Sequence, residues 1–246
     1  MQPFTDAWLR MLPILAPPLL LSLTLHEYAH ARVALAFRDP TAYSQGRVTL
    51  NPLRHLDPLG TIMIFIVGFG WAKPVPVNPL KLVPRKLGHI CVSLAGIGAN
   101  VGLAIAFCLG LVIFRRVLPP EQYLNIYLTW YIENTATLIA RFGLTGILFE
   151  VLTLSVSINV VLALFNLIPL FPLDGHHVVR ELLPLNKSEK FMRWQMQYGQ
   201  TGLLLLLIGP RLAEMIFNRP IYGPLDFIFG YVNKLVFDVI GLSPLA

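Results

Sequence analysis

Residues 11–37 form a run of about 27 residues with only two formally charged side chains, Glu27 and Arg32. Roughly 20 predominantly apolar residues suffice to cross the hydrocarbon core of a bilayer as a helix. The run is too long for the core of a cleavable signal, and it holds His26, Glu27 and His30. Similar runs follow at about 87–114, 142–165 and 198–217, with a weaker one at about 225–240. A further apolar stretch at 59–71 falls below the usual spanning length and reads equally as a re-entrant or interfacial segment or as a full crossing.

Composition agrees with these runs. Only 13% of the 246 residues are charged, against 55% hydrophobic. Soluble domains carry about 25% charged residues. So few charges cannot clothe a water-facing surface, and so high an apolar fraction excludes disorder. The expected fold is an α-helical polytopic membrane protein with five to six transmembrane segments. Short strand-like and re-entrant elements follow the first helix. Gly46-Arg47-Val48-Thr49-Leu50-Asn51-Pro52 alternates and is bounded by Gly and Pro, so it reads as a short strand. Residues 72–79 are Pro-rich and read as an edge strand or polyproline-like segment. Residues 123–138 are more polar and suit an interfacial helix or an external loop. With no internal repeat or separate soluble stretch, residues 1–246 read as one integral-membrane domain, its core at about 11–180 and further spans at about 195–246.

The formal charge of +6 comes from 19 Lys and Arg against 13 Asp and Glu. No long basic run is present, so a nucleic-acid partner is not expected. The lipid bilayer is the expected partner surface, with the basic excess marking its cytoplasmic side. If 59–71 dips in and returns, Arg38, Arg47, Arg54, Lys73, Lys81, Arg85, Lys86, Arg180, Lys187, Lys190 and Arg193 share that side. Cys91 and Cys108 lie in apolar stretches outside any CxxC pattern and read as small buried hydrophobes with no disulfide.

The first run ends in His26-Glu27-Tyr28-Ala29-His30. Histidines four apart share one helix face, so both imidazoles can reach a single metal ion. Glu27 lies beside that face, placed to act as a general base without ligating. Ionisable side chains inside a membrane run cost at least ~2.5 kcal/mol each on insertion scales and mark function. Two histidines do not complete a zinc site, which needs three protein ligands when catalytic. His55 and His89 sit near basic loops and read as solvated. Asp174 closes Asn166-Leu167-Ile168-Pro169-Leu170-Phe171-Pro172-Leu173-Asp174-Gly175, whose prolines and glycine break the helix at the end of the third long run. Broken backbone at membrane depth belongs where it lines a cavity or is buried in protein, which favours Asp174 as third ligand over a simple turn.

These two stretches resemble the signatures of the site-2 protease family of intramembrane zinc metalloproteases. Residues 46–52, Asp57-Pro58-Leu59-Gly60, residues 70–78 and Ala95-Gly96-Ile97-Gly98-Ala99-Asn100 are similar to stretches of its small bacterial and archaeal members. The likeness covers about 12–180 and implies a minimal form without PDZ or CBS domains. It implies one zinc ion per chain held by His26, His30 and Asp174, with Glu27 as catalytic acid/base. Asn166 would position substrate or stabilise the oxyanion. The implied substrates are transmembrane proteins or peptides, and the implied location is the cell membrane. Ile97 and Phe171 stand where the family commonly has Pro. A catalytically inactive zinc scaffold and a metal transporter are the alternatives. Intact Glu27 speaks against the first, and the scarcity of carboxylates within the runs, with Glu150 the best extra candidate, against the second.

Overall fold

The computed structural model describes residues 4–67 and 71–219, with scattered positions between 222 and 234. The weak run at 225–240 lies largely outside the described residues, as does Gly70 of the 59–71 stretch. The described chain is helical: α1 (Phe4–Ala36), α2 (Thr41–Ser44), α3 (Pro58–Val67), α4 (Arg85–Val117), α5 (Pro120–Ile132), α6 (Thr135–Asn166), α7 (Asp174–Leu182), α8 (Leu185–Trp194) and α9 (Gln200–Phe217). A 3-10 turn at Pro52–Arg54 and a π-helical turn at Gln195–Gly199 complete the set. Among the described residues, α4 and α6 are long and apolar enough to cross a membrane. The first and fourth expected spans are present as helices α1 and α9.

By internal contacts the chain divides into two compact units. One is drawn from Met1–Ser22, Val101–Val160 and Tyr231–Ala246, the other from Leu23–Asn100 and Val161–Gly230.

Aromatic packing organises the first unit. Phe114, Tyr123 and Phe149 meet with ring centroids 5.9–6.5 Å apart, and Trp130 lies edge-on to Phe149 at 5.8 Å. Such pairs contribute about 0.5–1.5 kcal/mol beyond their buried area. Burial pushes the Tyr123 phenol up to about 12. The polar stretch 123–138 is thus mostly helical: its first ten residues belong to α5, whose aromatic side folds into this core, and after a break at 133–134 it enters α6. Asn134 then opens α6 by accepting from the Thr137 N–H at 2.9 Å. The backbone of α6 breaks at Gly143, with φ 54° and ψ −128°. That break coincides with the start of the apolar run at 142. Glu150 is buried and accepts from Thr135 Oγ1 at 3.0 Å.

The second unit is centred on the C-terminal half of α1 and the N-terminal half of α4. Ala34, Leu82 and Val92 form its apolar core with Val33, Phe37 and Val77. Asp39, just past α1, is fully buried and accepts from the Thr41 and Asn78 N–H groups at 3.0 and 2.7 Å. It fastens the start of α2 and the end of the Pro-rich segment to the end of α1. Asp57 caps α3 by accepting from the Gly60 N–H at 2.8 Å, with Pro58 at the first helical position. Over its 10 described residues α3 is about 15 Å long.

The expected strand at 46–52 is not one. Thr49 Oγ1 accepts from the Asn51 N–H at 3.2 Å, and Asn51 Oδ1 accepts from the Leu53 N–H at 3.0 Å. These short-range side-chain bonds satisfy the backbone locally and bend it into the 3-10 turn, leaving no ladder to form. Residues 72–79 are irregular except for one antiparallel bridge, Leu56 to Ala72. Pro74 and Pro76 have no N–H to donate, so pairing cannot propagate.

Candidate metal centre

The second unit brings His26, His30 and Asp174 together. His26 and His30 sit one turn apart on α1, with ring centroids 4.6 Å apart and ring planes at 80°. Asp174 opens α7, reached through the Pro-broken loop after α6. Its carboxylate Oδ2 lies 3.3 Å from His26 Nε2 and 3.2 Å from His30 Nε2. The two Nε2 atoms are 3.0 Å apart.

The other ring nitrogens decide what these atoms can do. His30 Nδ1 lies 2.7 Å from the Val92 carbonyl oxygen and His26 Nδ1 lies 2.6 Å from Asn100 Oδ1. Both partners accept, so each Nδ1 carries the proton and donates it. In the neutral rings both Nε2 atoms then present lone pairs toward one point, where Asp174 adds an anionic oxygen that is itself buried without a donor. Three acceptors facing one another repel unless a cation lies between them. Zinc with tetrahedral bonds of about 2.0–2.1 Å sets its ligand atoms about 3.3 Å apart. The spacings of 3.0, 3.2 and 3.3 Å fit that ion.

Glu27 lies on the adjacent face of α1 and is 9% exposed. Its Oε2 accepts from the Val75 N–H at 3.0 Å, between the two prolines that lack an N–H. Arg47 is buried and donates to the Lys73 carbonyl, two residues before Val75 in the same segment. Burial pulls the Arg47 pKa down, and the negative charge of Glu27 opposes that.

Two glycines give the site its space. A Cβ on Gly96 of α4 would strike His30 Nε2 and lie about 2.5–2.7 Å from the His26 ring. A Cβ on Gly175 would strike the Leu167 carbonyl, so the Asp-Gly pair lets the loop cross the start of α7. Gln195 in the π-helical turn clamps that loop: its Oε1 accepts from the Phe171 N–H at 2.8 Å and its Nε2 donates to the Pro169 carbonyl at 2.6 Å.

The other expected residues fall as follows. Asn166 closes α6, half-buried, its Nδ2 donating to the Leu162 carbonyl at 2.9 Å. His55 and His89 are buried, not solvated. His55 Nε2 donates to the Thr49 carbonyl at 2.8 Å, and His89 pairs with Glu181 at 2.8 Å. The loop carbonyl of Thr49 and the α7 side chain of Glu181 supply acceptors in place of water. The His176 and His177 rings meet at a tilt of 39° with centroids 3.8 Å apart, and His177 packs against His89 at 4.9 Å. Burial, then the neighbouring His176 and His89, push His177 down to about 3, so it stays neutral at physiological pH. Cys91 and Cys108 are free and half-buried. Sequence reasoning missed Gly96, Asn100, Val75, Arg47 and Gln195 as parts of the site. Gly96, Asn100, Val75 and Arg47 all lie in stretches that carry the family likeness, but nothing in their spacing points to a place beside His26, Glu27 or His30.

Residues 14–209 match the model of Peptidase family M50, and the chain belongs to that family. It is 39% identical over 203 residues to "Putative zinc metalloprotease YwhC" of Bacillus subtilis, covering 82% of this chain and 83% of that protein. It is 27% identical to "Putative zinc metalloprotease Rip2" of Mycolicibacterium smegmatis, covering 85% of this chain and 71% of that one. A protein of the same name from Mycobacterium tuberculosis is 26% identical, covering 81% and 68%. No solved structure matches the chain. With its helices apolar enough for a membrane and its His26–His30–Asp174 group, the chain is a membrane metalloprotease that uses zinc.

Proposed function

We propose that this protein is an intramembrane zinc endopeptidase that hydrolyses peptide bonds of transmembrane proteins or peptides. In this reading it is a multi-pass protein of the cell membrane and a single peptidase domain, with about 11–180 as catalytic core. The convergence of three acceptor atoms at zinc-ligand spacing, two of them beside Glu27 on α1 and the third at the start of α7, carries the proposal.

His26, His30 and Asp174 hold the metal, which when bound supplies a Lewis acid and an acidified water. Glu27 is the acid/base: its carboxylate takes a proton from water and returns it to the leaving amine. The Val75 N–H holds that carboxylate in place through Oε2, leaving Oε1 to handle the proton. Asn166 has a second amide hydrogen besides the one given to Leu162, and this is the donor offered to the substrate carbonyl. The partners are membrane-embedded substrates whose scissile stretch has unwound, because a helix shields its own carbonyls.

Glu27→Gln tests the reading. The variant binds one zinc per chain, while cleavage of a transmembrane peptide in proteoliposomes falls by several orders of magnitude. A variant that holds zinc and cleaves at near the unsubstituted rate removes Glu27 from the chemistry.

A further inference from the structure

Residues 89, 92, 96 and 100 recur at three- or four-residue spacing and so share one face of α4. Every one of them bears on the metal centre. His89 pairs with Glu181 of α7, the helix that Asp174 opens. Val92 receives the Nδ1 proton of His30, Gly96 clears space for both rings, and Asn100 receives the Nδ1 proton of His26. The two ligand histidines are therefore oriented by different means. His30 leans on a backbone carbonyl that no substitution removes. His26 leans on a side chain contributed 74 residues away, fully buried, at 2.6 Å.

We propose that Asn100 is the positioning residue of His26, fixing its tautomer and ring direction so that Nε2 faces the metal. This rests on the reading of His26 as a ligand. A ligating imidazole commonly gives its other N–H to an acceptor, and loss of that acceptor costs about 10–100-fold in metal affinity. Without Oδ1 the ring can rotate or carry its proton on Nε2, and either change removes a ligand atom. An amide performs the task without adding a charge. Zinc with the Asp174 carboxylate then leaves a net positive centre, whereas a carboxylate at position 100 would neutralise it.

The test measures zinc affinity of the purified full-length chain in detergent, stripped of metal and titrated against a chromophoric chelator. Asn100→Ala binds zinc 10–100-fold more weakly, while the metal-free variant melts close to the unsubstituted chain. Asn100→Asp, which keeps an acceptor oxygen in place, binds zinc at least as tightly as the unsubstituted chain. That rescue separates an orienting role from a merely structural one. Asn100→Ala within threefold of the unsubstituted affinity overturns the proposal. If the alanine variant does not fold, Asn100→Asp decides alone, and a tenfold weaker affinity there overturns it. His26→Ala is the control for the underlying reading: if it retains full zinc affinity, the ligand set fails, whatever the Asn100 variants do.

Discussion

At Gly96 a single methyl group would decide whether the metal centre exists. The added Cβ collides with His30 Nε2 and crowds the His26 ring, and both rings are already held by fixed acceptors. Gly96→Ala therefore eliminates zinc binding, measured as metal content after purification, although Ala favours the helix by about 1 kcal/mol over Gly. Asp174 differs sharply from the histidines that follow it. Asp174→Ala removes the anionic member of the group and loses both zinc and activity. His176 gives its Nδ1 proton to Leu173 and His177 packs at a tilt against the His89 and His176 rings, so alanine at either position leaves zinc bound. Loss of zinc from His176→Ala but not from Asp174→Ala would mean that the wrong residue has been taken as ligand.

Among the elements, the loop between α6 and α7 shows how irregular backbone is kept in place. Gln195 bonds Pro169 and Phe171 as a neighbouring strand would, from a π-helical turn. Such turns recur at functional sites. Gln195→Leu keeps similar bulk and leaves a backbone N–H and a carbonyl unpaired, at a cost of about 1–3 kcal/mol. Thermal melting shows the loss directly, and zinc affinity falls with it because the loop carries Asp174. Unchanged melting and unchanged affinity would reduce the clamp to a surface contact. The Pro-rich segment obeys the same logic: with no ladder available, it is held by Asp39, Arg47 and Glu27 side chains.

For the molecule as a whole, the distribution of basic residues predicts which side of the membrane each loop faces. Gln45, Lys81, Lys187 and Gln122 are all exposed. In a background with Cys91 and Cys108 replaced, single cysteines at 45, 81 and 187 react with an impermeant thiol reagent only from the cytoplasmic side. A cysteine at 122 reacts from the opposite side. The pattern requires the 59–71 segment to dip into the membrane and return, and α3, at 10 residues, falls below the length of a spanning helix. Labelling of 45 and 81 from opposite sides would make the segment a true crossing and reverse the orientation of every later helix.

The histidine pair and Glu27 were legible in the sequence because the geometry that unites them is that of one helical turn, which five residues specify. Asp174 was legible because two prolines and a glycine mark a break in an otherwise apolar helix. The long helices followed from hydrophobic run length alone. The alternation at 46–52 misled, because local bonds from Thr49 and Asn51 outcompeted a ladder that needed a partner strand. What only the tertiary structure decided is the environment of the candidate metal ligands. Asn100 meets His26 across 74 residues, Val92 meets His30 across 62, and Val75 meets Glu27 across 48. Helical periodicity says which residues share a face, but not which face of another helix will press against it. That choice is made by packing, where Gly96 lets α4 approach α1 closely enough for the ligands to be aimed.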